Sequence, residues 1–461
     1  MCRRHLRTGP WTITAVVVVI VLAECASAAA QAVSHTETAS QKARVATTLS
    51  FRKIKLTDEF WAEGVAIADV NRDGHQDVVV GPFWYEGPQF RRRHEYRSAT
   101  RSFATVEPGG RKMTLPGFEG AQGTHNAYSD DFETFVGDFN ADGWLDILVV
   151  GFPGQAANWY ENPGDKVRVS DAHWKVHPVL DSVGNESPVL GDLFHDGRPV
   201  LLCISRGYLG YASPVAGKPY APWVFHRISS RGDYGVFTHG LGYGDINGDG
   251  RADVLEANGW YEQPPDPLRE PPWRFHPHSF NLTAAHRPPY GGAQMYVYDV
   301  NGDGRPDVIT VLAAHNYGLA WFEQLRPEEP EAEITFTRHL ILSDSPPADR
   351  QGVEFSEMHA LGLADLNGDG LPDLVTGKRY WAHGKDGAGL DDEPNTPAVL
   401  YWLEQQRDTK GVRFVPHLID ADSGVGTQIA LADIDGDGLT DVAVSNKKGA
   451  FIFLQQRKAT P

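Results

Sequence analysis

A nine-residue pattern rich in Asp, Asn and Gly recurs along the whole chain and constrains its fold more than any other feature. One copy reads DINGDGRAD from Asp245, with carboxylate or amide side chains at its first, third, fifth and ninth places and Gly at its sixth. Oxygen donors at these spacings, with a Gly that allows a sharp turn, are typical of the first nine places of an EF-hand-like calcium loop. A single copy is equally typical of a polar turn, so the recurrence carries the argument.

Six copies keep all four oxygen-bearing side chains and predict about six structural Ca²⁺ sites. Mg²⁺ fits less well, because it prefers fewer protein ligands and keeps more water. The predicted ligands are Asp69, Asn71, Asp73, Asp77, Asp138, Asn140, Asp142, Asp146, Asp245, Asn247, Asp249, Asp253, Asp299, Asn301, Asp303, Asp307, Asp365, Asn367, Asp369, Asp373, Asp433, Asp435, Asp437 and Asp441. A seventh copy, from Asp192, has Phe194 and Val200 where two ligands are expected, so we predict no ion there.

The seven copies divide the chain into units of one design. Their first Asp recurs after 69, 54, 53, 54, 66 and 68 residues. Each unit carries a short apolar run before the loop, a second after it, a third with an aromatic pair such as Trp84-Tyr85, and a fourth such as WKVHPVL. Runs of this length and β-branched content predict four strands per unit. Seven such units predict an all-β fold, a seven-bladed β-propeller of four-stranded antiparallel blades.

The two ends of the repeated region predict how the ring closes. The chain finishes on a run of the third type, FIFLQQ, while a run of the fourth type, FRKIKL at residues 51–56, precedes the first loop. We expect the N-terminal strand to complete the last blade and remove an open edge. The propeller is therefore predicted to occupy residues 50–457.

The N-terminal residues predict export. Three Arg lie in residues 1–10, an apolar run fills residues 11–23, and Ala26-Ser27-Ala28 offers a cleavage site. We expect a signal peptide at residues 1–28, a flexible spacer at residues 29–49 and a secreted or periplasmic mature chain without a membrane span. A twin-arginine signal and lipoprotein anchoring at Cys25 are the alternatives. The mature chain then holds Cys203 alone, so no internal disulfide forms.

Net charge excludes one class of partner. The formal charge is −18, and the six intact loops contain 19 Asp, so the acidity is assigned to metal sites. An acidic chain is poorly suited to nucleic acid, whose backbone phosphates it repels. We expect a carbohydrate or another extracellular ligand instead; the oligomeric state is open.

The repeated loop and the Trp-Tyr-Glu run after it resemble the FG-GAP or VCBS repeat family, whose propellers include the integrin α-chain head. The resemblance covers about residues 51–456. It implies a propeller with calcium loops, and it leaves activity open because one scaffold carries many functions. Similar exported propellers include aldos-2-ulose dehydratase and some polysaccharide lyases, and the family also includes adhesion and ligand-binding modules.

One polar residue per unit lies five or six places before each loop, at the start of the first strand. These residues are Glu63, Glu133, Glu186, His239, Gln294, His359 and Gln428. If the first strand is innermost, they form a ring on the face opposite the calcium loops. A ring of this kind is either a solvated channel lining or a site for acid–base chemistry or a second metal.

Two functions from different classes follow. In the first, the protein is a β-eliminating lyase or dehydratase, with His239 or His359 as the base and Glu63, Glu133 or Glu186 orienting it. The predicted substrate-binding residues are His125, Arg206, His315, Lys378, Arg379, Gln294 and Gln428. In the second, the same face binds a glycan or protein without catalysis. Histidines on the fourth strands, such as His177 and His417, are assigned to the repeat and not to catalysis.

Overall fold

The computed structural model of the protein describes residues 49–106, 110–116, 128–169, 172–230, 232, 234–282, 291–325, 332–346 and 353–456. All of them belong to one unit, Thr48–Pro461. The predicted signal peptide and residues 29–48 of the predicted spacer lie outside the described residues. In the part of the chain that is described, no helix is long and apolar enough to cross a membrane.

Nearly all regular structure is β-strand, with two short 3₁₀ helices, Gly164–Lys166 and Gly387–Gly389. The strands are β1 (Ser50–Thr57), β2 (Ala66–Ala68), β3 (Asp77–Val80), β4 (Phe83–Tyr85), β5 (Arg93–Glu95), β6 (Ser102–Val106), β7 (Lys112–Pro116), β8 (Glu133–Gly137), β9 (Asp146–Val150), β10 (Gln155–Glu161), β11 (Lys175–Val183), β12 (Val189–Gly191), β13 (Val200–Ser205), β14 (Tyr208–Ser213), β15 (Val224–Arg227), β16 (Leu241–Gly244), β17 (Asp253–Glu256), β18 (Gly259–Glu262), β19 (Arg274–Pro277), β20 (Gln294–Tyr298), β21 (Asp307–Val311), β22 (Leu319–Gln324), β23 (Phe336–Leu342), β24 (Leu361–Ala364), β25 (Asp373–Gly377), β26 (Leu400–Asp408), β27 (Gly411–Asp420), β28 (Ile429–Ala432), β29 (Asp441–Asn446) and β30 (Gly449–Gln456).

Consecutive strands pair in antiparallel sheets that are arranged as a propeller, which confirms the all-β propeller predicted from the sequence but not its number of blades. Five sheets have four strands: β2–β5, β8–β11, β12–β15, β24–β27, and β28–β30 with β1. An eight-stranded sheet contains β16–β23, in which two antiparallel halves meet where Leu241 of β16 lies parallel to Gln294 of β20. A separate hairpin, β6–β7, follows the first sheet.

The N-terminal strand completes the last sheet, as the sequence predicts. Strand β1 pairs antiparallel with β30, with Ser50 opposite Gln456 and Ile54 opposite Ile452. The sheet edge that β30 would otherwise expose is thereby covered.

The first strand of each unit is innermost. Strand β2 contacts β8 and β28, and β24 contacts β20 and β28, although these strands belong to different sheets. The Asp-rich loop follows the end of each inner strand, and the polar residues of the predicted ring lie near its start. The two sets of residues therefore lie at opposite ends of the inner strands.

Each Asp-rich loop is held by its own carboxylates. The first Asp accepts backbone hydrogen bonds from the fifth and sixth places, as Asp245 does from Asp249 and Gly250 at 3.1 and 2.9 Å. The ninth Asp is fully buried and accepts one bond from the loop and one from a residue near the end of the third strand, as Asp253 does from Ile246 and Gln263. Backbone N–H groups thus balance part of the negative charge of the loop.

A buried Gln at the end of the third strand links neighbouring units. Gln324 Nε2 donates to the carbonyls of Pro306 in its own unit and Ile246 in the preceding one, both at 2.9 Å. Gln455 Nε2 likewise donates to the Leu366 carbonyl at 2.8 Å. Buried carbonyls need hydrogen-bond donors, so these amides hold each unit against the preceding one.

The histidines of the fourth strands stack on the tryptophans of the third. The ring centres of His276 and Trp260 are 3.9 Å apart and their planes are nearly parallel, and His276 Nε2 lies 2.9 Å from Glu262 Oε2. The same arrangement recurs at His177, which stacks on Trp159 at 4.3 Å. These contacts support the assignment of these histidines to the repeat.

Candidate functional site

Predicted residues from several sheets meet between the inner strands in what we call the central cluster. It comprises Glu63, Glu186, His239, His315, His359 and Arg379, all buried. The fold brings them together because each precedes an inner strand or follows the second strand of its unit, at the same end of the sheets. Two groups of contacts build the cluster, one around Arg379 and one around the histidines.

Arg379 connects two ring carboxylates of different sheets. Its Nε donates to Glu63 Oε2 at 3.1 Å, its Nη1 donates to Glu186 Oε2 at 3.0 Å, and its Nη2 lies 3.0 Å from Glu63 Oε1. Burial acts to lower the pKa of Arg379, but Glu63 and Glu186 raise it above its ordinary value. Its charge is therefore balanced inside the protein.

Three imidazoles lie side by side next to this ion pair. The ring centres of His239 and His315 are 5.1 Å apart, those of His239 and His359 are 5.4 Å apart, and those of His315 and His359 are 4.7 Å apart. One nitrogen of each lies within 4.8 Å of the other two. His239 and His359 belong to the predicted ring of polar residues. His315, predicted to bind substrate, joins them from the connection after β21.

Burial keeps two of these imidazoles uncharged. It lowers the pKa of His239 to about 3 and that of His359 well below its ordinary value. Burial likewise raises the pKa of the nearby Glu133 well above its ordinary value, so this side chain is a neutral acid. The site thus offers neutral imidazole nitrogens, which can accept a proton or bind a metal.

The carboxylate of Asp391 orients two histidines, one of which, His315, belongs to the central cluster. Asp391 Oδ1 lies 3.0 Å from His315 Nδ1 and 2.8 Å from His383 Nδ1. Burial acts to raise the pKa of Asp391, but these hydrogen bonds lower it below its ordinary value. His359 Nδ1 lies 3.1 Å from the Glu357 carbonyl oxygen. Asp391 and Glu357 were missed in the sequence, although the long connection between β25 and β26 was a signal for Asp391.

Two buried lysines flank the cluster. Lys378 Nζ lies 2.6 Å from Glu357 Oε1 and donates to Ser356 at 3.0 Å. Lys447 Nζ donates to the Trp381 carbonyl at 2.6 Å and lies 4.6 Å from the ring centre of Tyr128. Burial lowers the pKa of Lys447 to about 7. Both amines are held inside the protein.

The two ring glutamines connect inner strands. Gln428 Oε1 accepts from the backbone N–H groups of Val65 and Thr134, both at 3.0 Å, while its Nε2 donates to the Thr134 carbonyl at 2.9 Å. Gln294 Nε2 donates to the Thr427 carbonyl at 3.0 Å, and its Oε1 accepts from the Leu361 N–H at 2.9 Å. These bonds give both amides a structural role, and substrate binding by them stays a prediction.

The remaining predicted ligand-binding residues are less closely placed. Arg206 is mostly exposed and forms an ion pair with Asp181, which is also exposed. His125 lies outside the described residues. A cavity of about 800 Å³ lies on the side of the Asp-rich loops, lined by Phe139, Phe194 and Tyr211 among others, and it includes none of the central cluster.

The donor sets of the Asp-rich loops fit a hard cation. Carboxylate oxygens of Asp433, Asp435 and Asp441 lie within 4.8 Å of one another. All of their donors are oxygen, as Ca²⁺ prefers. Burial, together with neighbouring carboxylates, raises the pKa of ninth-place residues such as Asp253 to about 7, and a cation at the loop would favour the ionised form.

Two segments of the chain match a known repeat. Residues 138–203 and 365–444 match the family model described as FG-GAP-like repeat, and each segment spans two Asp-rich loops. Among curated proteins, the chain is similar to integrin alpha pat-2 of Caenorhabditis briggsae, at 29% identity, and of Caenorhabditis elegans, at 27%. Each match covers 34% of this chain and 13% of the integrin chain, so this chain spans a small part of those relatives.

Solved structures give only weak likenesses. The V. cholerae biofilm matrix protein Bap1 is 10% identical, with a TM-score of 0.41 over 90% of this chain and 92% of that one. An Agrocybe aegerita lectin described as recognising non-reducing terminal N-acetylglucosamine is 15% identical, with a TM-score of 0.40 over 89% of this chain and 86% of that one. Similarity at this level does not establish a shared function. The chain is thus an all-β propeller with FG-GAP-like repeats, which is compatible with a binding module.

Proposed function

We propose that this chain is an exported, calcium-binding propeller that acts on a carbohydrate at the central cluster, as a carbon–oxygen lyase. The observation that carries the proposal is the convergence of neutral, buried His239 and His359 beside the Arg379 ion pairs. Neutral imidazoles in a desolvated site are suited to proton transfer.

We count the propeller as seven-bladed. The eight-stranded sheet consists of β16–β19 and β20–β23, and each half has its own Asp-rich loop, from Asp245 and Asp299. The two halves are therefore counted as two blades, which with the five four-stranded sheets makes seven.

The six complete loops are proposed to bind Ca²⁺ through their first, third, fifth and ninth side chains. Bound Ca²⁺ would neutralise the carboxylates and strengthen the turn. Because the loops lie at the opposite end of the inner strands from the central cluster, this calcium is structural. Export, proposed from the leader, places the protein where calcium is plentiful.

The reaction proposed is β-elimination. His239 or His359 removes the proton from the carbon next to a carbonyl or carboxylate. The electron pair of that C–H bond forms a C=C bond, and the bond from the next carbon to its oxygen substituent breaks. The leaving oxygen keeps that bonding pair and takes up a proton, so an unsaturated sugar and an alcohol or water result.

The cations of the site have positioning roles in this scheme. Arg379 holds Glu63 and Glu186 in place, and Lys378 is bound to Glu357, so neither offers an unbalanced positive charge. Charge on an enolate intermediate is then stabilised by hydrogen bonds in a site that excludes water.

A non-catalytic binding module is the second proposal. It is favoured by the FG-GAP-like repeats and the similarity to integrin alpha chains. It differs from the first in one measurable respect, because a binding module forms no unsaturated product.

The test is a screen of the purified protein, with calcium present, against uronate polysaccharides and keto-sugars. The ultraviolet absorbance of the unsaturated product is followed for the wild type and for the His239→Ala/His359→Ala double variant. The matched control is His177→Ala, which removes an imidazole that stacks on Trp159 far along the chain from the cluster.

A rise in absorbance that disappears in the double variant and persists in the control supports the lyase. Melting temperature is measured for all three proteins, so that loss of activity is not confused with loss of fold. A flat trace with every substrate, together with retained glycan binding, refutes the lyase and favours the binding module.

A further inference from the structure

Two nitrogens of the histidine group have no hydrogen-bond partner among the described residues. Nε2 of His239 and Nε2 of His359 are both fully buried and unpaired among the described residues. Each side chain is at most 2% exposed. Buried polar nitrogens normally have a hydrogen-bond partner, so two unpaired ones in neighbouring imidazoles need an explanation.

Two other nitrogens of this group have hydrogen-bond partners. His315 Nδ1 is bonded to Asp391, and His359 Nδ1 to the Glu357 carbonyl. A carboxylate or carbonyl on the far nitrogen of an imidazole fixes the ring orientation and makes the near nitrogen a better electron-pair donor. Metal-binding histidines usually carry such a partner.

We propose that His239, His315 and His359 bind one divalent transition-metal ion of the zinc class. Their donor nitrogens lie within 4.8 Å of one another. Three nitrogens at about 2.0–2.1 Å from one zinc ion lie about 3.3 Å apart in tetrahedral geometry. The imidazoles therefore need to move inward by only about an ångström, which side-chain torsions supply.

The donor set selects the kind of metal and leaves a place for a ligand. Neutral imidazoles suit Zn²⁺ and its transition-metal neighbours, whereas Ca²⁺ prefers oxygen, so this site is distinct from the Asp-rich loops. Glu186 Oε1 lies 4.0 Å from His239 Nε2, beside the fourth position. Three protein ligands with an open fourth position are typical of catalytic zinc.

This inference rests on the proposed function only for what the metal does there. A bound metal would act as a Lewis acid on a substrate carbonyl. Metal ligand and proton acceptor are therefore alternative roles for His239 and His359, and the metal titration distinguishes them. Metal binding itself is measured without any substrate.

The experiment titrates the purified full chain, freed of transition metals and kept in excess Ca²⁺, with Zn²⁺ by calorimetry and with Co²⁺ by visible spectroscopy. We expect one Zn²⁺ per chain and the visible bands of a four-coordinate Co²⁺ site. His239→Gln and His315→Gln should each weaken binding by more than about 100-fold, and Asp391→Asn, which changes the carboxylate bonded to His315 and His383, by about 10–100-fold. His177→Gln should bind like the wild type.

Absence of any Zn²⁺ binding to the folded wild type, or binding unchanged in both His315→Gln and Asp391→Asn, would overturn the inference. If His315→Gln does not fold, Asp391→Asn decides alone. One bound metal without elimination activity supports the metal site and refutes the lyase. Elimination by a protein that binds no Zn²⁺ in the titration supports the lyase and refutes the metal site.

Discussion

Replacing Arg379 by Met should destabilise the protein strongly, because it leaves two buried carboxylates without a counter-charge. Glu63 is fully buried and Glu186 is 7% exposed, and Arg379 lies about 3 Å from both. Breaking a buried ion pair by removing one partner costs about 3–5 kcal/mol. Met fills most of the volume of the Arg side chain, so the cost is electrostatic and not the cost of a cavity.

The expected loss can be expressed as a melting temperature. At about 2.1 cal/mol/K per residue, a propeller of about 400 residues has an unfolding entropy of roughly 0.85 kcal/mol/K. A loss of about 4 kcal/mol then lowers the melting temperature by about 5 °C. Scanning calorimetry at fixed calcium concentration and scan rate measures this shift.

Two further variants isolate the cause. Arg379→Met combined with Glu63→Gln and Glu186→Gln leaves no buried charge in this group and should recover most of the loss. Arg206→Met breaks an ion pair with Asp181 in which both side chains are more than 60% exposed. Its cost should stay below about 1 kcal/mol. The reasoning is refuted if the single Arg379 variant melts within about 1 °C of the Arg206 variant. It is also refuted if the triple variant melts no more than about 1 °C above the single Arg379 variant.

Two other predictions concern calcium and pH. Asp249→Ala should remove about 2.7 kcal/mol of calcium-dependent stability when free Ca²⁺ is 100 times the dissociation constant, while Asp196→Ala in the incomplete loop should remove none. Equal melting temperatures of the two variants in calcium would contradict this prediction. In EGTA the calcium-dependent difference between the two variants should disappear. Lys447, whose pKa burial lowers from 10.5 to about 7, binds fewer protons in the folded than in the unfolded state between these pH values. Its unfavourable effect on stability is therefore largest below pH 7 and fades as pH rises to about 10.5. Lys447→Met should be more stable than the wild type at pH 7, and the gap should narrow on titration to pH 10, about half a unit below the unfolded pKa. A gap independent of pH in thermal melts would show that burial does not hold this amine neutral.

The fold was predictable because its signals are local and repeated. An Asp-rich loop between two apolar runs specifies a strand, a turn and a strand within about twenty residues. Seven copies fix the architecture even where one copy, from Asp192, has lost two ligands. That copy keeps its turn, because Asp192 still accepts the backbone bonds from Asp196 and Gly197.

The site was predictable only in part, because its contacts join residues far apart in the chain. The position of His239 and His359 before inner strands placed them correctly at one end of the sheets. Nothing in the sequence indicated that Arg379 would be balanced by Glu63 and Glu186, which lie 316 and 193 residues away. Nor did the sequence indicate that Gln428 would bond to Val65 and Thr134 of other units; its role in substrate binding stays a prediction.

The pattern of satisfied and unsatisfied groups indicates what the central cluster lacks. A pocket that recognises a charged ligand keeps a counter-charge ready for it, but here Arg379, Glu63, Glu186 and Lys378 are all in ion pairs within the protein. The described atoms left without partners include neutral nitrogens of imidazoles, which are electron-pair donors. What completes such a site is an electron-pair acceptor, either a proton taken from a substrate or a metal ion. Catalysis and metal binding therefore account for the chemistry of this cluster better than recognition of ligand charge does.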